Sequence, residues 1–149
     1  MTVVLDTNVI MDALQERQPF DIEAKEILLR AQNAEFTCYF TANAATDIFY
    51  LYAKARDIKS ARQVINFLLT TYKIVSVTHE DCISAMTIPI EDFEDALVSA
   101  CAKKVKADYI ISRDVKFLQG NSPVKVIEPK EFLKIIGNGR TALPIDASV

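Results

Sequence analysis

The sequence predicts an α/β fold, a three-layer α/β/α sandwich around a mainly parallel sheet of four or five strands. Three observations lead there. Short β-branched runs alternate with helical apolar stripes along the chain. The run Asp108-Tyr109-Ile110-Ile111-Ser112 is continuously apolar at its centre, as in a strand covered on both faces. The segments between successive strands are long enough to hold one or two helices each, as parallel neighbours require.

Taken in order, Thr2-Val3-Val4-Leu5 reads as a buried strand that ends on Asp6. Residues 7–15 then place Val9, Ile10, Ala13 and Leu14 at helical spacing, and Glu16-Arg17-Gln18-Pro19 breaks the pattern. A second helix spans about residues 21–33, and 36–40 is a β-branched and aromatic strand. Thr41 or Asn43 caps the long helix that follows, Asp57 closes it, and Ser60 opens another amphipathic helix. The third strand is 74–77, followed by a short helix over 79–86. Pro89 ends that region, and Asp92 is the N-cap of a helix whose stripe is Ala96, Leu97, Ala100, Cys101 and Val105. The fourth strand is 108–112, with a fifth expected at 124–127. Pro129 sits in the first turn of a last helix that Gly137-Asn138-Gly139 stops. One domain over 1–136 is expected, with a loosely held tail over 137–149.

The 149 residues suit a single domain, and 50% hydrophobic with 25% charged residues is ordinary globular composition. No apolar run reaches the roughly 20 residues of a membrane helix, and the N-terminus lacks a basic stretch followed by an apolar core. A cytoplasmic protein is expected, without a membrane partner. Cys38, Cys82 and Cys101 are odd in number and widely spaced, which suits small core residues in a reducing compartment. A net charge of −3 argues against a surface that grips nucleic acid all over, but leaves room for a basic rim around an acidic site. With 3 Gly there is no Gly-rich phosphate loop.

The acidic residues carry the chemical signal. Asp6 stands at the C-terminal edge of a strand, where open α/β sheets bind ligands, and it also suits an N-cap. Asp47 lies inside a helix at the border of its apolar stripe, where a carboxylate needs a partner, a cation or solvent. Glu91-Asp92-Phe93-Glu94-Asp95 opens a helix, and Asp92 with Asp95 resembles a capping box. Asp114 follows the fourth strand and suits a turn or a cap for 115–118. If the strands carrying Asp6 and Asp114 are neighbours, Asp6, Asp47, Asp95 and Asp114 can share one cleft. Carboxylates that close raise one another's pKa unless a cation compensates, and oxygen-only ligation suits Mg²⁺ or Mn²⁺.

Four blocks in this order resemble the PIN-domain nucleases, a family that includes the VapC-type ribonuclease toxins. They are Val3-Val4-Leu5-Asp6-Thr7-Asn8, Asp92-Phe93-Glu94-Asp95-Ala96-Leu97, Ala107-Asp108-Tyr109-Ile110-Ile111-Ser112-Arg113-Asp114 with Phe117, and Ile127-Glu128-Pro129-Lys130-Glu131-Phe132-Leu133. The resemblance covers about residues 2–136 and implies a metal-dependent ribonuclease, in which water activated by Mg²⁺ or Mn²⁺ attacks an RNA phosphodiester in line and leaves a 5′-phosphate. By position Asp6, Asp95 and Asp114 match the first, third and fourth acidic residues, with Asp6 and Asp95 as leading metal ligands and Asp114 completing the pocket. Asp47 falls where most members have Glu; it would hold a ligand water or help activate the nucleophile. Asp92 is a supplementary acid, and Asn8 and Ser112 stand where polar residues support the site. Arg113 and Lys116 are candidate RNA contacts, with Lys54 and Arg56 further off. The resemblance also implies the toxin of a toxin–antitoxin pair, an antitoxin protein partner and a homodimer.

A non-catalytic RNA-binding or regulatory module of the same fold is the alternative. A receiver or haloacid-dehalogenase-like domain is disfavoured, because Asn8 stands where those would place a second Asp. His79, the only histidine, lies at a helix start away from these blocks, which suits a surface or capping role.

Overall fold

The computed structural model describes residues 1–137. The tail expected from residue 137 onward therefore lies outside the described residues, except for Gly137 itself. The elements are β1 (Thr2–Leu5), α1 (Thr7–Leu14), α2 (Asp21–Gln32), β2 (Thr37–Thr41), α3 (Ala42–Ala55), α4 (Ile58–Thr71), β3 (Lys73–Val75), α5 (His79–Met86), α6 (Phe93–Lys104), β4 (Tyr109–Ile111), α7 (Val115–Leu118), β5 (Val126–Ile127) and α8 (Pro129–Ile136).

Every strand pairing is parallel, in the order β3-β2-β1-β4-β5. The chain winds outward from β1 through β2 to β3, crosses back over the sheet, and continues on the other side of β1 through β4 to β5. The direction of winding thus reverses between β1 and β4, which makes their C-terminal ends the topological switch point.

Pleat alternation splits the core into two layers. Val3 and Leu5 of β1 and Ile111 of β4 face a cluster with Ile10, Ile27, Phe40, Ile48, Leu68 and Phe132. Val4 and Ile110 face the opposite side, against Val98, Ala102, Phe117 and Val124. The first layer is filled by α1–α4 and α8, and the second by α6 and α7. Helix α6 is buried at every position from Asp95 to Ala102, because α5 covers the side that the sheet does not. Its small residues Ala96, Ser99, Ala100 and Ala102 permit that close packing.

The caps follow local chemistry. Thr41, not Asn43, caps α3 by accepting the Ala44 N–H at 3.2 Å. Asp57 does more than close α3. It caps α4, accepting the Ser60 N–H at 2.7 Å, so α4 begins at Ile58 and Ser60 lies within its first turn. Thr78 and Asp81 form a reciprocal capping box on α5. The third strand stops at Val75 because Thr41↔Val75 is the last pair its neighbour offers. Helix α8 carries Pro129 in its first turn and ends on Gly137 at φ 76°, a left-handed conformation that glycine adopts readily. The three cysteines are free thiols; Cys38 and Cys101 are buried in the core. No helix among the described residues is long and apolar enough to cross a membrane.

Helix α8 packs on the core through Phe132, Leu133 and Ile136. Phe132 is fully buried, edge-on to Phe36 at 5.0 Å and to Tyr109 at 6.3 Å between centroids. Phe132→Ala should lower unfolding free energy by about 3–5 kcal/mol, read from the midpoint shift in urea at unchanged m-value.

Candidate active site

Because β1 and β4 are neighbours, Asp6 and Asp114 emerge side by side. The Asp6 N–H donates to the Ile111 carbonyl at 2.9 Å, which extends the β1–β4 ladder to the rim of the sheet. A cleft of about 440 Å³ opens there, lined by Asp6, Asn8, Arg17, Asp47, Tyr50, Leu51, Asp92, Glu94, Asp95 and Asp114, among others. All four carboxylates named from the sequence therefore face one cleft, and Asp92 joins them.

Three of these acids are helix caps as well. The Thr7 N–H donates to Asp6 Oδ1 at 2.9 Å, the Asp95 N–H to Asp92 Oδ1 at 3.1 Å, and the Lys116 N–H to Asp114 Oδ1 at 3.1 Å. The capping and site readings are not alternatives, since each cap engages Oδ1 and the residue still lines the cleft.

Ser112 and Asn8 link the strand ends. Fully buried Ser112 donates its hydroxyl to Asp6 Oδ2 at 2.8 Å and accepts the Asp114 N–H at 3.1 Å. Asn8 Nδ2 lies 3.4 Å from both Asp6 Oδ2 and Ser112 Oγ, and Asn8 Oδ1 accepts the Arg113 N–H at 3.4 Å. One hydroxyl thus fixes the side chain of the first acid and the backbone of the last.

The cleft is short of positive charge. Burial pushes the Asp6 carboxyl up, against the pull of Ser112 and Thr7, and Asp114 and Asp92 raise it further. Asp95, 8% exposed, is pushed up to about 7, by burial first and then by Asp6, Asp92 and Asp114. The neighbouring Asp47 carboxyl, together with burial, lifts Glu94 to about 7. Glu94 was not singled out from the sequence as a site residue; it was visible only as part of the acidic cluster, and its pairing with a residue on α3 depends on tertiary packing.

The donors facing the cleft are carboxylate oxygens, a set whose chemistry fits a hard divalent cation. Among the described residues no three His, Cys, Asp or Glu side chains lie close enough to hold an ion as they stand.

The structure gives the basic candidates different surroundings. Arg113 donates from Nε and Nη2 to the two oxygens of fully buried Asp12 on α1, at 2.6 and 2.9 Å, and its guanidinium stacks on Phe20 at 4.1 Å. Those contacts hold it in the packing between α1 and the end of β4, outside the set of residues that line the acidic cleft. Lys116 is exposed and lines a second groove of about 490 Å³ that shares Asp92, Asp95 and Asp114 with the first. Lys54 and Arg56 lie against Tyr50 and Tyr52, each 5.9 Å from the ring centroid. Lys104 pairs with Asp81 and donates to the Ser76 carbonyl at 2.8 Å, away from the cleft residues. His79 is the first residue of α5, exposed and outside the cleft. Arg17, read from the sequence only as part of a helix break, is a cation that lines the acidic cleft.

Fold and cleft together define an α/β protein with an acidic site at the switch point of a parallel sheet. Residues 2–116 match the PIN domain family. The chain belongs to that family. No curated protein sequence matches it. Solved structures share the fold at low identity. A chain of the DNA-bound VapBC2 complex from Rickettsia felis superposes with a TM-score of 0.67 at 14% identity, covering 86% of this chain and 98% of that one. A toxin–antitoxin complex from Klebsiella pneumoniae gives 0.65 at 18%, covering 85% and 97%. The sarcin–ricin-loop-cleaving toxin VapC20 from Mycobacterium tuberculosis gives 0.62 at 15%, covering 77% and 92%.

Two outcomes follow. Between about pH 4 and about pH 7 the folded chain keeps protons on Asp95 and Glu94 that the unfolded chain has released. Stability from these groups therefore falls as pH rises through that window. In chelator-treated protein, thermal melts should show this slope, and Asp95→Asn should reduce it and stabilise the fold at alkaline pH by about 2 kcal/mol. Arg113→Ala strands the buried Asp12 charge and should cost about 2–3 kcal/mol, whereas Lys116→Ala should stay within about 0.5 kcal/mol, both by chemical denaturation.

Proposed function

We propose that this PIN-domain protein is a divalent-metal-dependent endoribonuclease that hydrolyses RNA phosphodiester bonds, and that it is the toxin of a toxin–antitoxin pair. The observation that carries the catalytic reading is the convergence of Asp6, Asp47, Asp92, Glu94, Asp95 and Asp114 on one cleft, with Glu94 and Asp95 lifted to about 7 by burial and by neighbouring carboxylates.

Asp6, Asp95 and Asp114 would hold the cation, Mg²⁺ or Mn²⁺. When bound, such an ion lowers the pKa of water and neutralises charge on a phosphate undergoing displacement. The remaining work falls to the chain. Ser112 and Asn8 fix the Asp6 carboxylate through its Oδ2. The N-termini of α1, α6 and α7 place positive dipole ends behind the carboxylates that cap them. Glu94, lifted to about 7 beside Asp47, can take up or release a proton within the cleft near neutrality. Lys116 lies on the adjoining groove, where it can meet the RNA backbone. Arg113 orders the loop between Ser112 and Asp114 through its two hydrogen bonds to Asp12.

Similarity to solved toxin–antitoxin complexes supports the partner reading. An antitoxin would cover the cleft beside Tyr50 and Leu51, which are exposed at its edge. A homodimer belongs to the same proposal.

The test is cleavage of RNA by the purified chain with Mg²⁺ or Mn²⁺ and with chelator. Asp6→Asn keeps a capping residue at the start of α1, and should reduce cleavage by at least about 100-fold with the melting temperature preserved. Equal cleavage by the variant, from preparations free of contaminating nuclease, would sink the reading. Metal-independent RNA binding without turnover would favour the non-catalytic module.

A further inference from the structure

We infer that Arg17 binds a backbone phosphate of the RNA strand at one end of the acidic cleft, so that the strand runs from Arg17 across Asp92, Asp95 and Asp114 to Lys116. This rests on the ribonuclease reading and adds the path of the substrate to it.

The placement begins in the backbone. Helix α1 ends at Leu14 with Gln15 as its cap, and the Gln15 N–H bonds the Met11 carbonyl at 2.9 Å. The Arg17 N–H then reaches back to the Asp12 carbonyl at 3.0 Å, with Glu16 between them at φ 51°. This is a Schellman closure built on a glutamate in the left-handed region, where glycine is usual. The reversal returns Arg17 to the end of α1, beside the cleft that Asp6 and Asn8 open.

The side chain is then held in place. Gln15 Oε1 accepts from Arg17 Nε at 3.2 Å and from Nη2 at 2.9 Å. Nη1 lies 3.7 Å from Asp12 Oδ1, and the side chain remains 37% exposed. Gln15 is neutral, and Asp12 is already paired at two contacts by Arg113. Two guanidinium groups on one carboxylate leave a unit of positive charge over. The carboxylate within salt-bridge distance of Arg17 is Asp12, not one of the acids that line the cleft.

An oriented, half-exposed guanidinium with surplus charge at the lip of an acidic cleft fits a phosphodiester. RNA needs such contacts to approach carboxylates at all. The two grooves supply one cation each and share three carboxylates between them, Asp92, Asp95 and Asp114. Phosphates held at Arg17 and at Lys116 would place the intervening phosphate over the shared acids.

The experiment measures binding of a labelled single-stranded oligoribonucleotide of about ten nucleotides to full-length Asp6→Asn protein, over a series of salt concentrations. Arg17→Gln in that background should raise Kd about tenfold and reduce the slope of log K against log salt by about 0.7, one phosphate contact for a single strand. Arg17→Lys should keep the slope. Lys116→Gln should remove a separate increment of about 0.7, and the double variant the sum of both. Circular dichroism and melting temperature confirm that each variant folds. If Arg17→Gln does not fold, Arg17→Met, which retains the apolar stem, takes its place with the same expected slope. An unchanged affinity and slope on removal of the Arg17 charge overturns the inference. No RNA binding by the Asp6→Asn parent overturns it together with the ribonuclease reading. Arg17-dependent binding in a protein whose wild type cleaves nothing overturns hydrolysis alone.

Discussion

The double use of aspartates is the constraint on which this structure depends. Asp6, Asp92 and Asp114 each stop a helix from fraying and each line the same cleft. A carboxylate caps each of these three helices, and the topology brings the three helix starts to one end of the sheet. The acids are thus gathered by local backbone chemistry, before any ligand is considered. Their mutual repulsion is offset only in part by the dipole ends behind them. Asp95 rises to about 7 through burial first, and then through the uncompensated charges of Asp6, Asp92 and Asp114.

This arrangement depends on sheet order. With β4 beside β1, Ser112 can reach Asp6 from the neighbouring strand. A serine suits that place because its hydroxyl donates one hydrogen bond and accepts others. Here it donates to the carboxylate and accepts from the Asp114 backbone, so the two strand ends move as one unit. Alanine there would leave the Asp114 N–H and one Asp6 oxygen without their shared partner in a fully buried position.

Much of this was legible in the sequence because it is written in local patterns. Strands end on Asp6 and just before Asp114, and parallel sheets bind ligands at such ends. Asp92 announced a helix start, and Pro129 another. What stayed hidden depends on packing. Asp57 as the cap of α4 was obscured because Ser60, three residues on, is itself a cap former, and it is that residue's N–H which Asp57 accepts. The Asp47–Glu94 pair joins α3 to α6, and no spacing rule predicts contact between residues so far apart in the chain. Arg113, a candidate RNA contact from its place before Asp114, is drawn inward by buried Asp12. Asp12 itself sat unremarked within an apolar helix pattern, where a fully buried carboxylate was the signal available.

Asp12 also explains why two nearby arginines have different surroundings. A buried carboxylate needs a bidentate partner, and Arg113 supplies it at 2.6 and 2.9 Å while stacking on Phe20. That contact saturates the carboxylate's best geometry. Arg17, arriving by the reversal at Glu16, finds only a longer approach of 3.7 Å and takes its short hydrogen bonds from neutral Gln15. One arginine is thereby consumed in joining α1 to the end of β4, and the other is oriented at the cleft with only the longer contact to Asp12. The same buried acid both stiffens the loop that carries Asp114 and sets a cation beside it.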